Sequence, residues 1–431
     1  MSSGEKFDAI IIGAGASGLG AAYMLSKYGF NVLVIERGER VGSKNVYGGR
    51  IYSYVFNSLM DNFVKEVPAE RWVKRERISL LNDSDALTIE YSVGRDEYNN
   101  SFTAYLSSFL KWLSKKVEEQ GGLILTGVKA DKILFEDNKA YGVLADGDRI
   151  FADVIVDAEG INPILAMESG LKDDWKPNNV ALGIKEVIKM PKNTIEERLN
   201  LDENEGLAQL FIGFPTNYVP GGGFLYTNKD TITLGIVVRL EHTIERRLVM
   251  RDIIEEFKQH PYIRRIIKGG TVIEYSAHLV PEISIKDIDL SRLYGNGILI
   301  VGDAAGFVLN TGFTIRGVDF AFLSGVLAAE AIKKAHDEGK YTKETLSYYE
   351  ELLRNSPMIN ELFMHANAQS FLSTSMLYNE YVKALLEFFN DIYTVNGSSK
   401  KLSSVLLRSL SKNKISLVTI IRDLVRGLMN L

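Results

Sequence analysis

Residues 13–18 read Gly-Ala-Gly-Ala-Ser-Gly, and the segments flanking them leave this stretch few ways to fold. Before it runs a short apolar segment, 7–12, as a buried parallel strand requires. After it come helix formers and small residues, 19–28, and then a second apolar run, 31–36, that ends on Glu36. Strand, glycine turn, helix and strand within about 30 residues make a dinucleotide-binding βαβ unit. Gly13 permits the tight turn, Gly15 lets backbone approach a pyrophosphate, and Gly18 lets helix and strand pack closely. The helix start offers unpaired N–H groups and a positive dipole end to phosphate. Glu36 is placed to accept hydrogen bonds from both ribose hydroxyls, which disfavours a 2′-phosphate there.

The chain has 431 residues and no cysteine. A disulfide framework, a thiolate zinc site, a dithiol pair and an in-chain iron–sulfur cluster are therefore excluded. The five histidines lack ligand spacing, so no metal site is expected. With 50 Lys+Arg against 55 Asp+Glu, nothing global points to nucleic acid. The N-terminus lacks a signal-peptide pattern and no apolar run is long enough to span a bilayer, so the expected location is cytoplasmic.

Further along, 105–120 carries helical periodicity and 122–160 short strands with turns at 137–138 and 146–148. The middle, 177–281, alternates like strands at 180–188, 210–214, 223–227 and 231–239, interrupted by a helix at 244–257. An apolar strand, 298–301, precedes a long helix, 318–335, and the chain from 342 on is helical in pattern. The expected fold is α/β. A Rossmann-like domain (1–175 and 285–340) carries an inserted antiparallel-sheet substrate domain (176–284), and a helical C-terminal region (341–431) follows.

Two later strings select the dinucleotide. Asp157-Ala158-Glu159-Gly160 follows one strand; Gly302-Asp303-Ala304-Ala305-Gly306 follows another and is expected to open a helix. A nicotinamide enzyme needs no third phosphate-facing loop, whereas FAD stretched across the sheet does. Asp303 would bind ribityl hydroxyls, or, on the simpler reading, cap a helix.

The three strings together resemble the geranylgeranyl-reductase and FixC branch of FAD-dependent oxidoreductases. Segments 42–52, 221–230, 274–282 and 308–317 are similar to that branch as well, so the likeness spans nearly the whole chain. The resemblance implies a FixC-type protein that takes electrons from an electron transfer flavoprotein and delivers them to a quinone. Larger relatives carry a cysteine-bound cluster; here a separate ferredoxin-like FixX-type subunit would supply the relay. Carried over residue by residue, the cofactor contacts are Gly13, Gly15, Ala16, Ser17, Gly18, Glu36, Arg37, Lys44, Asn45, Gly49, Arg50, Val128, Glu159, Gly160, Gly302, Asp303, Gly306, Gly312 and Phe313. Gly312 and Phe313 would aim N–H groups at the flavin N1/C2=O edge. Substrate contacts are expected at Gly221, Gly222, Phe224, His278 and Arg316. Glu159 stands where the family has Asp, and Tyr47 where it has a smaller residue.

Each of these has a plainer reading. Lys44, Arg50 and Arg316 are equally readable as surface cations, His278 as a structural histidine, and 221–223 as a tight hairpin rather than a wall of an apolar channel. Two other activities fit the same scaffold: a prenyl reductase, whose typical loop cysteine is missing here, and a flavoprotein monooxygenase.

The tail from 395 to 431 has seven basic residues and one acid, Asp423, with an apolar stripe of Leu417, Val418, Ile420, Ile421, Leu424, Val425 and Leu428. A basic amphipathic helix suits an anionic membrane surface, here the inner face of the cell membrane. Such stripes also pack on a protein's own core.

Overall fold

The computed structural model describes residues 6–43, 48–95, 97–397 and 399–431. Its first sheet has the parallel core Ile298–Ile300, Asp148–Asp157, Lys6–Ile12, Val32–Glu36 and Leu123–Thr126, in that spatial order. The hairpin Ala130–Glu136/Lys139–Ala145 joins it antiparallel through Asp148–Asp157. From Lys6–Ile12 the chain winds outward to Val32–Glu36, then returns to Asp148–Asp157 on the other side. The strand order therefore reverses at Lys6–Ile12, and the crevice beyond the carboxyl ends of such strands is where doubly wound sheets bind ligands.

Helix Ala16–Lys27 covers this sheet and packs against the long helix Val318–Asp337. Glycine makes the approach possible. A Cβ on Gly325 would lie 2.0 Å from the Ser17 carbonyl oxygen, and one on Gly20 2.5 Å from that of Phe322. The helix expected to open at 302–306 is not there. Gly302–Ala304 forms one 3-10 turn, the Gly306 N–H bonds back to Gly302 O at 3.1 Å, and the helix begins only at Val318. Positive φ at Gly302 (66°) and Gly306 (90°) turns the chain aside instead of continuing it.

The second sheet has the order Thr271–Pro281, Val180–Lys189, Thr231–Arg239, Gly221–Thr227, Glu205–Gly213, Arg71–Leu81, Ser101–Tyr105, Gly48–Tyr52, with Ala86–Ser92 on Arg71–Leu81. Two expectations are corrected. Four of its strands come from 48–105, a stretch assigned above to the nucleotide-binding domain. The sheet is also mixed: Glu205–Gly213 pairs parallel with Arg71–Leu81. Residues 221–223 are the start of a strand, not a tight hairpin. The helix expected at 244–257 is two, Leu240–Glu245 and Met250–Gln259, because the chain breaks where Arg247 takes φ 51°.

Period-2 alternation sorts the faces of this sheet. Ile184, Leu225, Leu234 and Ile236 pack under Ile253, Ile254, Phe257 and Ile263 of helices Met250–Gln259 and Pro261–Ile267. The opposite face is set by three cross-strand rows: Val280, Ala181 and Arg239; His278, Gly183, Val237 and Gly222; Ser276, Lys185, Gly235 and Phe224. That face looks back toward the carboxyl ends of the first sheet.

The terminal helix Leu417–Asn430 is not packed by its apolar stripe. Val418, Ile421, Leu424 and Leu428 are 75, 62, 61 and 79% exposed, while Asp423 is 4% exposed and accepts a hydrogen bond from the Tyr381 hydroxyl at 2.7 Å.

Candidate functional site

One cleft of about 1480 Å³ begins at the sheet reversal, crosses between the two sheets and ends among the C-terminal helices. Its nucleotide end is built by the glycine turn. A Cβ on Gly13 (φ 101°) would meet Ala158 O at 2.5 Å, and one on Gly18 would meet Gly13 O at 2.0 Å. Gly15 faces open space, with nothing within 4 Å of a Cβ placed there, so its backbone is bare toward the cleft. This arrangement fits a diphosphate over the start of helix Ala16–Lys27.

Glu36 closes that end. Its carboxylate accepts N–H bonds from Ala14 at 3.0 Å and Gly38 at 2.6 Å, which fixes its orientation. It still has lone pairs for ribose hydroxyls. Glu36→Ala is expected to weaken FAD binding at least about tenfold, since a charged hydrogen-bond acceptor is lost. Flavin retention during dialysis and fluorescence titration measure it; unchanged affinity removes the ribose role.

Gly13, Gly15, Ala16, Ser17, Glu36, Arg37, Glu159, Gly160 and Asp303 all line the cleft. Gly18, Gly49, Val128, Gly302 and Gly306 do not. The Val128 N–H donates to Glu36 O at 3.1 Å, and a Cβ on Gly302 would lie 2.4 Å from Ser17 Oγ. Lys44, Asn45 and Tyr47 lie outside the described residues.

Glu159 uses its extra methylene to accept from the Leu165 N–H at 2.7 Å, at the start of helix Ile164–Glu168. Beside it, Asp157 is fully buried, and both burial and the Glu159 charge push its pKa well up. Asp303 caps no helix; burial pushes its pKa up to about 6.

At the middle of the cleft, Arg50 is not a surface cation. It binds Glu76 through both terminal nitrogens and Ser101 Oγ at 2.9 Å, and lies 4.4 Å over the Tyr52 ring. Arg316, 10% exposed, is likewise not at the surface. It is held by Asp319 and Glu361 and stacks 4.3 Å over Phe320. With two carboxylates on one guanidinium it brings no net positive charge to this part of the cleft. Gly312 and Phe313 line the cleft, but their N–H groups turn to Asn310 Oδ1 (2.9 Å) and Thr311 Oγ1 (3.4 Å).

Past this point the walls turn apolar. Phe224 lies flat over Gly235, whose absent Cβ would sit 2.3 Å from the ring. Gly221, Gly222, Val237 and His278 also face in, and burial lowers the His278 pKa. Leu406, Leu410, Leu424 and Leu428 continue the wall to the C-terminus. Sequence reasoning missed Tyr52, Arg239, Glu282 and Tyr378, which also line the cleft. The available signals were Arg239 closing an alternating strand, and the family-like strings 42–52 and 274–282 that contain Tyr52 and Glu282.

Comparison with known proteins agrees with this layout. Residues 180–280 match the family model described as "ETF-QO, ubiquinone-binding", and 11–75 match that of the NAD(P)-binding Rossmann-like domain. The chain is 39% identical to Protein FixC of Escherichia coli O157:H7 over 428 residues, 99% of each chain. It is 35% identical over 427 residues, again 99% of each, to the E. coli K12 protein named "Probable electron transfer flavoprotein-quinone oxidoreductase YdiS". A geranylgeranyl bacteriochlorophyll reductase-like protein of Thermoplasma acidophilum shares the fold, with TM-score 0.72 at 19% identity over 97% of this chain and 99% of that one. The chain belongs to the FixC family and is an FAD-dependent oxidoreductase.

Proposed function

We propose that the protein passes electrons from an electron transfer flavoprotein through its FAD to a quinone, as the FixC-like member of an assembly that includes a ferredoxin-like FixX-type subunit. The observation that carries this is the continuity of the cleft: a nucleotide cradle opens without a break into an apolar chamber floored by Phe224, Gly222 and Val237. A planar, lipid-soluble acceptor suits such a chamber, and a charged or sugar-like one does not. FAD supplies one- or two-electron exchange and so joins a one-electron relay to a two-electron acceptor. The absence of cysteine leaves any iron–sulfur relay to a partner. The names carried by the relatives support both donor and acceptor.

We also infer peripheral membrane contact through the C-terminal helices. Val418, Ile421, Val425 and Met429 form an outward apolar stripe, with Arg422 and Arg426 beside it. Leu424 and Leu428 of the same helix line the cleft, so a lipid-borne quinone would enter where the helix meets the bilayer. Among the described residues no helix is long and apolar enough to cross a membrane.

The test is co-expression and pull-down from the native host, followed by turnover. The expected result is a yellow complex with an electron transfer flavoprotein and a small ferredoxin, which reduces a ubiquinone analogue and sediments with anionic vesicles. A flavin-loaded protein that reduces no quinone refutes the acceptor; loss of vesicle binding only in neutral lipid supports the surface reading.

A further inference from the structure

Reduction of a quinone to a quinol takes two electrons and two protons, so an apolar chamber needs an inlet for protons as well as a source of electrons. Resting on the quinone reading above, we propose that Glu282 is the proton-exchange residue of the chamber, passing protons from a small cavity lined by His365 to the oxygens of the quinone.

Three observations converge on Glu282. It lines the main cleft and also a separate cavity of about 30 Å³, the room one water needs, so it stands in the wall between them. That second cavity is lined by Ser284, Asn310, His365 and Gln369. The Nδ1 of His365, a residue of that lining, is buried without a hydrogen-bond partner. On the chamber side, Arg239, 6% exposed, holds Glu282 Oε1 at 2.9 Å, Glu241 Oε1 at 3.3 Å and the Ser373 hydroxyl. One guanidinium shared by two carboxylates leaves the cluster a net negative charge.

Tyr378, buried on the C-terminal region, also faces Glu282. Burial and the Glu282 charge raise its pKa, so it stays a neutral hydroxyl able to donate and accept. His242, 3.8 Å from Glu241, extends the cluster toward the surface. The balance is reduced FAD as its anion FADH− plus quinone plus one proton, giving oxidised FAD and quinol: the flavin gives up two electrons and its own proton, the second proton comes from solvent through the small cavity and Glu282, and no other co-reactant is needed.

The experiment uses the FAD-loaded protein, reduced photochemically and mixed with either a ubiquinone analogue or ferricenium. Ferricenium takes one electron and no proton. In Glu282→Gln the ratio of quinone to ferricenium reoxidation rates is expected to fall at least about tenfold, and Glu282→Asp to recover part of it. His365→Phe fills the small cavity while leaving the Arg239–Glu282 pair in place, and is expected to show the same selective fall. A ratio unchanged in both variants, or equal losses with both acceptors, overturns the inlet. Wild-type protein that reoxidises with ferricenium but never with the quinone overturns the quinone reading itself, and the inlet with it.

Discussion

Gly18→Ala is expected to purify colourless, with less than about a tenth of the wild-type flavin content. The added Cβ would sit 2.0 Å from Gly13 O and 3.2 Å from the Ala158 Cβ. The first neighbour is backbone and cannot rotate away. The helix must therefore lift off the strand, at about 1–3 kcal/mol or more for overpacking of this kind. Its N-terminus then no longer faces the diphosphate. Gly15→Ala is the matched control, because a Cβ there meets nothing within 4 Å. As apoprotein that variant should unfold at the wild-type midpoint yet bind FAD about tenfold or more weakly, since its methyl stands where the pyrophosphate approaches. Flavin-to-protein absorbance ratio and thermal unfolding separate the two. If Gly15→Ala holds FAD normally, that backbone does not face the cofactor; if Gly18→Ala stays yellow, the helix contact is more yielding than its geometry states.

The contrast between the two glycines also explains what could be read from the sequence. The first βαβ unit is local: its strand, turn and helix fall within 30 residues, and Gly18 is demanded by Gly13 O five residues earlier. Glu36 was legible for the same reason. The second sheet was not, because its joining pair, Glu205–Gly213 with Arg71–Leu81, closes more than 120 residues of chain and leaves no periodic trace. Strands 48–105 therefore looked like part of the first domain. Gly302–Gly306 misled because glycine and Asp after a buried strand are compatible with both a helix start and an isolated 3-10 turn. Positive φ at both glycines decided for the turn.

The same limit applies to charged residues. Arg50 and Arg316 carry no pattern that separates a surface guanidinium from a buried one. Glu76 is 26 positions from Arg50, and although Asp319 lies only three positions from Arg316, its second carboxylate, Glu361, is 45 away. The terminal helix was read correctly as amphipathic, but hydropathy does not say which side the protein covers. Here Tyr381, 42 residues earlier, holds the lone acid inward, and Val418, Ile421 and Met429 stand exposed on the other side. Glu282 and His365 meet at their small cavity only because helix Pro357–Met364 returns the chain beside the second sheet.

Arg71→Met is expected to cost the second sheet about 3–5 kcal/mol, the usual consequence of removing one partner from a buried ionic network. The Arg71 side chain is wholly buried. Its Nε donates to Asn228 O at 2.7 Å, Nη1 to Glu196 Oε1 at 2.9 Å and Glu205 O at 3.1 Å, and Nη2 to Lys229 O at 3.0 Å. One guanidinium thus ties the start of its own strand to the turn 228–230, to the start of Glu205–Gly213 and to helix Lys192–Leu199. Methionine fills much of the volume but leaves three carbonyls and a carboxylate without their donor. Arg71→Lys keeps the charge but reaches fewer of these acceptors at once, so its loss should be intermediate. Trp72, whose ring lies tilted 5.2 Å from that of Phe102, reports the unfolding of this region by fluorescence in urea. The nucleotide cradle uses none of these bonds, so flavin should stay bound below the transition. A destabilisation under about 1 kcal/mol in Arg71→Met would mean that the parallel junction stands without the arginine.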